Sequence, residues 1–167
     1  MLPTGKHKPE MLGLLGTIID DIRGRALDAA LESRLNERFG AGSDAYQNLR
    51  RLLELGIDEG WVAYVDIQGA AYRRGCIAEP AAQTAELSVE SGLLENVKGQ
   101  YHCHTLGEIN MIMPIDADAN FCGHGAGWKV FPPMSEHFPT VKGRALMMYF
   151  LPQGRIEYKA PPAGMVL

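Results

Sequence analysis

The apolar positions of this chain change their period once, and the change divides it in two. Up to Leu53 they recur at three- and four-residue intervals: Leu12, Leu15, Ile19 and Ile22, then Leu27, Ala30, Leu31 and Leu35, then Leu49, Leu52 and Leu53. That spacing lines one face of a helix and predicts three of them. Pro9 suits the start of the first, and Gly24 interrupts the pattern after it. The second ends at Gly40. Ser43 is an N-cap for the third and Gly56 its stop. The first ten residues, polar with two prolines, are expected to fray.

From Trp61 onward the texture is that of strands. WVAYVDI, AAYRRGCI, TAELSVES and the run through Tyr101 are rich in Val, Ile, Tyr and Thr, with Gly, Pro and Asn between them. Residues 109–115, 127–131, 145–151 and 155–158 continue the series, the last two joined by Pro152-Gln153-Gly154 as a hairpin. About eight strands at hairpin spacing imply an antiparallel sandwich or small barrel. The expected organisation is one structural domain: a helical N-terminal extension, 1–58, packed on a β-barrel, 59–167.

Composition narrows the function classes. A hydrophobic share of 46% and a charged share of 22% are those of an ordinary globular chain. A net charge of −4, with no Lys/Arg cluster beyond adjacent pairs, argues against nucleic acid or an anionic membrane as partner. No apolar run approaches membrane-spanning length, and MLPTGKHKPE lacks a signal-peptide core. Three cysteines without Cys-x-x-Cys spacing favour a reducing cytoplasm. An exposed β edge or the apolar helices offer a surface for a homodimer.

The chemistry concentrates in GQYHCHTLGEINMIMP, residues 99–114. On a strand His102 and His104 share a face, while Cys103 between them points the other way as a small core residue. Gly107 permits a bend that brings Glu108 toward the same point. Two imidazoles and a carboxylate converging from one side suit a divalent transition metal and leave positions for water or substrate. The plainer alternative is a polar strand face with no ligand role. The apolar run after Glu108 places the triplet where a strand enters a core.

These residues resemble the first motif of the cupin superfamily: Gly99, His102-x-His104 and Glu108, with a shortened lead. Its second motif is matched by Gly127, Pro132 and His137, with Met134 where the family has an inner Gly, and without the Asn often found after the His. The resemblance implies a mainly β, cupin-type antiparallel barrel (a double-stranded β-helix or jelly roll). It also implies His137 as a fourth ligand and one divalent metal ion, Fe, Mn, Zn, Ni or Co.

Other residues carry two readings each. Arg73 and Arg74 are adjacent, so on a strand one faces the interior, as a clamp for a substrate carboxylate, or pairs with an acid. Trp128 and Phe131 flank the second motif and either wall an aromatic ring or pack the core. Glu136, beside His137, is a proton carrier or a solvated loop carboxylate. Tyr101 reads as core and His124, in GHGAG, as a turn residue. That Gly-rich turn lacks the Lys and Ser/Thr of a phosphate loop.

A closer resemblance runs from about Leu27 to Tyr158, through YRRGCIAEP, YHCHTLGEINMIMPID and GAGWKVFPPMSEHFPTVKGRALMMYFLPQGRIEY. It is to the small cupin-type family that includes 4-hydroxylaminobenzoate lyase, and it implies conversion of a hydroxylamino aromatic acid to protocatechuate and ammonia. In such a scheme Arg73 or Arg74 anchors the ring carboxylate and Glu136 helps the oxygen depart. A cupin Fe(II) dioxygenase, a sugar isomerase or epimerase, and a non-catalytic binding module are the alternatives. The sugar enzyme is least favoured, because the interior strands show few polar residues.

Overall fold

The computed structural model describes residues 1–165 of the chain and consists there of three α-helices, a short 3-10 turn and ten strands. The helices are α1 (Lys8–Ile22), α2 (Ala29–Phe39) and α3 (Asp44–Glu59). Asp28 caps α2 by accepting from Leu31 N at 2.9 Å, and Ser43 caps α3 through Tyr46 N at 3.1 Å. Gly56 does not stop α3. The helix runs on to Glu59 and ends at Gly60, whose φ of 85° is the left-handed conformation a C-terminal cap demands. Nor do the first residues fray. His7 Nδ1 lies 2.6 Å from Glu59 Oε1, and Lys8 Nζ donates to Pro3 O at 2.7 Å.

The strands are β1 (Val65–Asp66), β2 (Tyr72–Ala78), β3 (Leu87–Lys98), β4 (His102–His104), β5 (Glu108–Pro114), β6 (Asn120–Phe121), β7 (Gly127–Phe131), β8 (Ser135–His137), β9 (Thr140–Pro152) and β10 (Glu157–Tyr158). They pair antiparallel in two sheets. The larger has the order β1-β2-β3-β9-β5-β7, with β6 also on β9; the smaller is β10-β4-β8. The closed barrel expected from the sequence is therefore not formed. The strands of the small sheet, two or three residues each, pair only with one another. Two further expectations are corrected. Only Val65–Asp66 of WVAYVDI is strand, and β10 leaves β9 to pair with β4 rather than closing a hairpin.

The large sheet has two different faces. Ile77, Val89, Leu93, Ile109, Met111, Leu146, Met148 and Phe150 point one way and merge with Leu15, Leu35, Leu49 and Leu53 of the helices in one hydrophobic cluster. Burying each such side chain contributes roughly 1.5–3 kcal/mol. The alternate residues, among them Arg74, Glu90, Gly92, Glu108, Asn110 and Tyr149, look toward the small sheet. Strand β7 is an edge, and α2 covers it: Asn36 bonds both Trp128 N (2.9 Å) and Trp128 O (2.8 Å), and Glu32 Oε1 accepts from Val130 N at 2.9 Å. Side chains of a helix thus pair an edge that would otherwise stay open.

Ile112 sits in a second cluster with Val141 and Met147, and its carbonyl accepts from the Tyr46 hydroxyl. Ile112→Ala is expected to cost about 2–5 kcal/mol in urea unfolding. A loss below about 1 kcal/mol would mean that this end of the sheet is not close-packed.

Candidate metal centre

Strand β8 delivers His137 directly opposite His102 in the β4–β8 ladder, on the face that His104 shares. His137 thus arrives on a short strand. The three Nε2 atoms converge: His102 to His104 is 2.9 Å, His104 to His137 3.0 Å and His137 to His102 3.1 Å. A ring nitrogen that carries a proton has no lone pair left, so three such atoms cannot close a hydrogen-bonded triangle. His102 Nδ1, 3.0 Å from Gln100 O, must be the protonated nitrogen of its ring, which leaves the Nε2 lone pair pointing at the other two. Three nitrogens about 2.1 Å from one ion and about 90° apart would be separated by about 3.0 Å. The donor set fits a divalent transition metal.

Electrostatics agree with neutral ligands. Burial pushes His104 down from an ordinary 6.5 to about 3, and the neighbouring imidazoles add to the effect. Burial likewise takes His137 to about 4. Glu108 lies beside the trio rather than within it. Its Oε1 is 3.4 Å from His104 Nε2, and burial raises its carboxyl from 4.5 to about 8.

Two backbone details build the site. Gly107 has φ +89°, and a Cβ there would lie 2.9 Å from Phe131 O, so the bend that presents Glu108 needs glycine. Met134, at the position of the missing motif glycine, adopts the glycine conformation anyway, with φ 68°. Pro132 O accepts from Ser135 N at 3.2 Å, closing a turn, and Met134 N donates to His104 O at 2.8 Å. Met134 thus holds the left-handed position at a cost of roughly 1–2 kcal/mol.

The other expected residues divide sharply. Arg74 lines a cavity of about 390 Å³ between the two sheets, together with Tyr72, His102, Glu108, Asn110, Tyr149 and Tyr158. The Tyr72 and Tyr158 hydroxyls lie near its guanidinium. Arg73 instead pairs with Asp66 at 2.9 Å. Trp128 does not reach the cavity. It is in the core, its Nε1 donating to Phe39 O at 2.8 Å and its ring stacked on Phe150. Glu136 faces away from the histidines, opposite Cys103 in the ladder, and bonds Lys159 Nζ and the Tyr101 hydroxyl, each at 3.1 Å. The ammonium of Lys159 holds its carboxyl below the usual range, so Glu136 is a paired carboxylate and not a proton donor to this site. Tyr72, Glu90, Asn110, Tyr149 and Tyr158 were missed in the sequence. Of these, Tyr72, Asn110, Tyr149 and Tyr158 line the cavity beside apolar Leu94, Phe121 and Met147, which weakens the argument made there against a sugar isomerase or epimerase.

Comparison with known proteins identifies the family. A family model described as PnbB, 4-hydroxylaminobenzoate lyase, matches residues 14–158. A 4-hydroxylaminobenzoate lyase of Pseudomonas putida is 35% identical over 173 residues, covering 94% of this chain and 98% of the relative. Another, of Nocardioides sp. (strain LMS-CY), is 35% identical over 154 residues, covering 87% and 91%. Among solved structures, a chain from the crystal structures of the DMSP lyases RdDddP and RnDddQII superposes with a TM-score of 0.54 at 12% identity, over 92% of this chain and 98% of that one. The DMSP lyase DddQ from Ruegeria pomeroyi DSS-3 gives 0.50 at 12% identity, over 98% and 97%. At that identity the structures share the fold alone. The chain belongs to the 4-hydroxylaminobenzoate lyase family.

Three outcomes are expected. His137→Ala should abolish stoichiometric metal in elemental analysis while the metal-free unfolding free energy stays within about 1 kcal/mol of wild type. Met134→Gly should raise stability by up to about 1 kcal/mol, the relieved strain offset in part by glycine's entropy. For metal-free protein, the unfolded chain takes up protons on its histidines below 6.5 while folded His104 and His137 do not, so their contribution is lost as pH falls below 6.5. Glu108 acts oppositely: its folded pKa is raised, so its contribution is lost as pH rises from 4.5 through about 8. Urea midpoints across pH should therefore peak near 6.5 and shift when Glu108 is replaced by Gln.

Proposed function

We propose that this member of the family converts 4-hydroxylaminobenzoate to protocatechuate and ammonia, with one divalent transition metal ion held by His102, His104, His137 and Glu108. The observation that carries the reading is that a candidate metal centre and a carboxylate anchor share one space: His102 of the three-histidine group, Glu108 and Arg74 all line the same cavity.

The ion would supply Lewis acidity toward the departing N–O oxygen. The chain's own residues do the rest. Arg74, with the Tyr72 and Tyr158 hydroxyls, anchors the carboxylate by charge-assisted hydrogen bonds. Leu94, Phe121 and Met147 line the cavity and exclude bulk water from the ring. Tyr149, whose side chain lines the cavity, takes the place first given to Glu136 as candidate proton donor, with its hydroxyl on the cavity wall as the supporting feature. Water adds at the neighbouring ring carbon, the N–O oxygen leaves as water, and hydrolysis of the imine releases ammonia. One water enters overall, and neither O₂ nor an organic cofactor is consumed.

Further parts of the proposal rest on single features. Three free cysteines support a reducing cytoplasm, and among the described residues no helix is long and apolar enough to cross a membrane. Exposed Val65 and Ile67 at the β1 edge support a homodimer, which light scattering would test.

Anaerobic incubation of metal-loaded protein with 4-hydroxylaminobenzoate should release ammonia and protocatechuate in equal amounts. Turnover only in air would overturn the reading in favour of an oxygenase. Arg74→Ala should raise KM for the carboxylated substrate roughly tenfold or more, leave phenylhydroxylamine little changed, and have no counterpart in Arg73→Ala.

A further inference from the structure

Cys122 occupies a position where the backbone favours other residues. Phe121 and His124 exchange both backbone hydrogen bonds at 2.9 Å, and the two residues between them, Cys122 and Gly123, have φ of 50° and 85°. Two positive φ values in succession are those of a type I′ turn, whose first central position prefers Asn, Asp or Gly. Strained backbone of this kind is kept where the side chain it presents has a task. Here the half-buried thiol is brought against the third histidine. Cys122 Sγ lies 3.8 Å from His137 Nδ1 and 3.7 Å from Phe138 O, contact distances that reflect the size of sulfur. Cys122 N donates to Thr140 O at 2.7 Å and holds the turn against the start of β9.

We infer that Cys122 is a positioning residue for the candidate metal centre, its sulfur accepting the Nδ1–H of His137 and so fixing that ring with the Nε2 lone pair toward His102 and His104. This rests on the proposed metal-dependent function and deepens it. A ligating Nε2 carries no proton, so the proton of the neutral imidazole sits on Nδ1 and needs an acceptor. For His102 that acceptor is Gln100 O at 3.0 Å. For His137 it is Sγ, and the thiol's own hydrogen then points to Phe138 O. That carbonyl also accepts from Thr140 Oγ1 at 3.0 Å, and its two lone pairs serve both donors. The chain of bonds runs one way only. Were the thiol to donate to Nδ1, the ring proton would sit on Nε2 and His137 would be lost as a ligand. Partners of this kind, one bond removed from the ion, set metal affinity by about 10–100-fold.

Competition of the metal-free protein against a chromophoric chelator, with Co(II) as the probe metal, reads the affinity directly. Cys122→Ala and Cys122→Gly should each weaken Co(II) binding about tenfold or more, whereas Cys122→Ser, which keeps an acceptor and a donor, should stay within about threefold of wild type. Glycine suits the turn, so the urea midpoint of metal-free Cys122→Gly should be no lower than that of wild type, and its weaker binding then cannot be loss of fold. That variant carries the test if the alanine protein misfolds. Wild-type affinity in Cys122→Gly overturns the inference. So does a serine variant as weak as the glycine one, which would leave Cys122 a packing residue beside Phe131 and the Val141 cluster. Wild type that binds no Co(II) overturns the metal-centre reading itself, and this inference with it.

Discussion

Three imidazole lone pairs aimed at one point repel one another, and a buried site gives them no water to relieve it. The arrangement of the small sheet exists to create that situation. Strand β4 sets His102 and His104 on one face, and β8 brings His137 opposite His102. The turn at Met134 is tied to β4 through His104 O, so the strand carrying the third histidine is anchored on the strand carrying the first two. A cation turns the mutual repulsion into coordination. Without one, the rings remain neutral because burial removes the solvation that a charged imidazole requires.

The large sheet supplies the other half of the site by having both faces engaged. Its helix-facing side is sealed by α1, α2 and α3 in one apolar cluster, which carries much of the hydrophobic burial. The cavity face is then free to hold Arg74, Glu90, Asn110 and Tyr149 at alternate positions. The helices thus do more than decorate the strands. They move the core to the outside of the sheet, and that leaves the inside for chemistry.

The periodicity of this chain showed three helices and most of the strands, because each amphipathic stripe or alternation is a local property. The histidines of the candidate metal centre were legible for the same reason. His102 and His104 are two residues apart, and the Pro132-to-His137 spacing survived the loss of the motif glycine. What stayed hidden depends on contacts distant in sequence. Gly56 reads as a stop, yet α3 passes through it toward the pairing of Glu59 with His7 and Trp61. Adjacent Glu136 and His137 cannot both face the other two histidines, but only the ladder with β4 decides which does. Trp128 looks like a ring wall until α2 is seen against β7. Glu90 in ELSVES and Tyr149 in MMYF carry the alternation of the inner face, but which side was inner could not be read without the helices' place.

X-ray absorption at the metal edge of the purified, metal-loaded protein tests the central claim most directly, since it reads the donors themselves. The account predicts one ion per chain with a first shell of nitrogen and oxygen at about 2.1 Å, including the outer-shell scattering of three imidazole rings. A first shell containing sulfur, or one with fewer than three imidazoles, would contradict it.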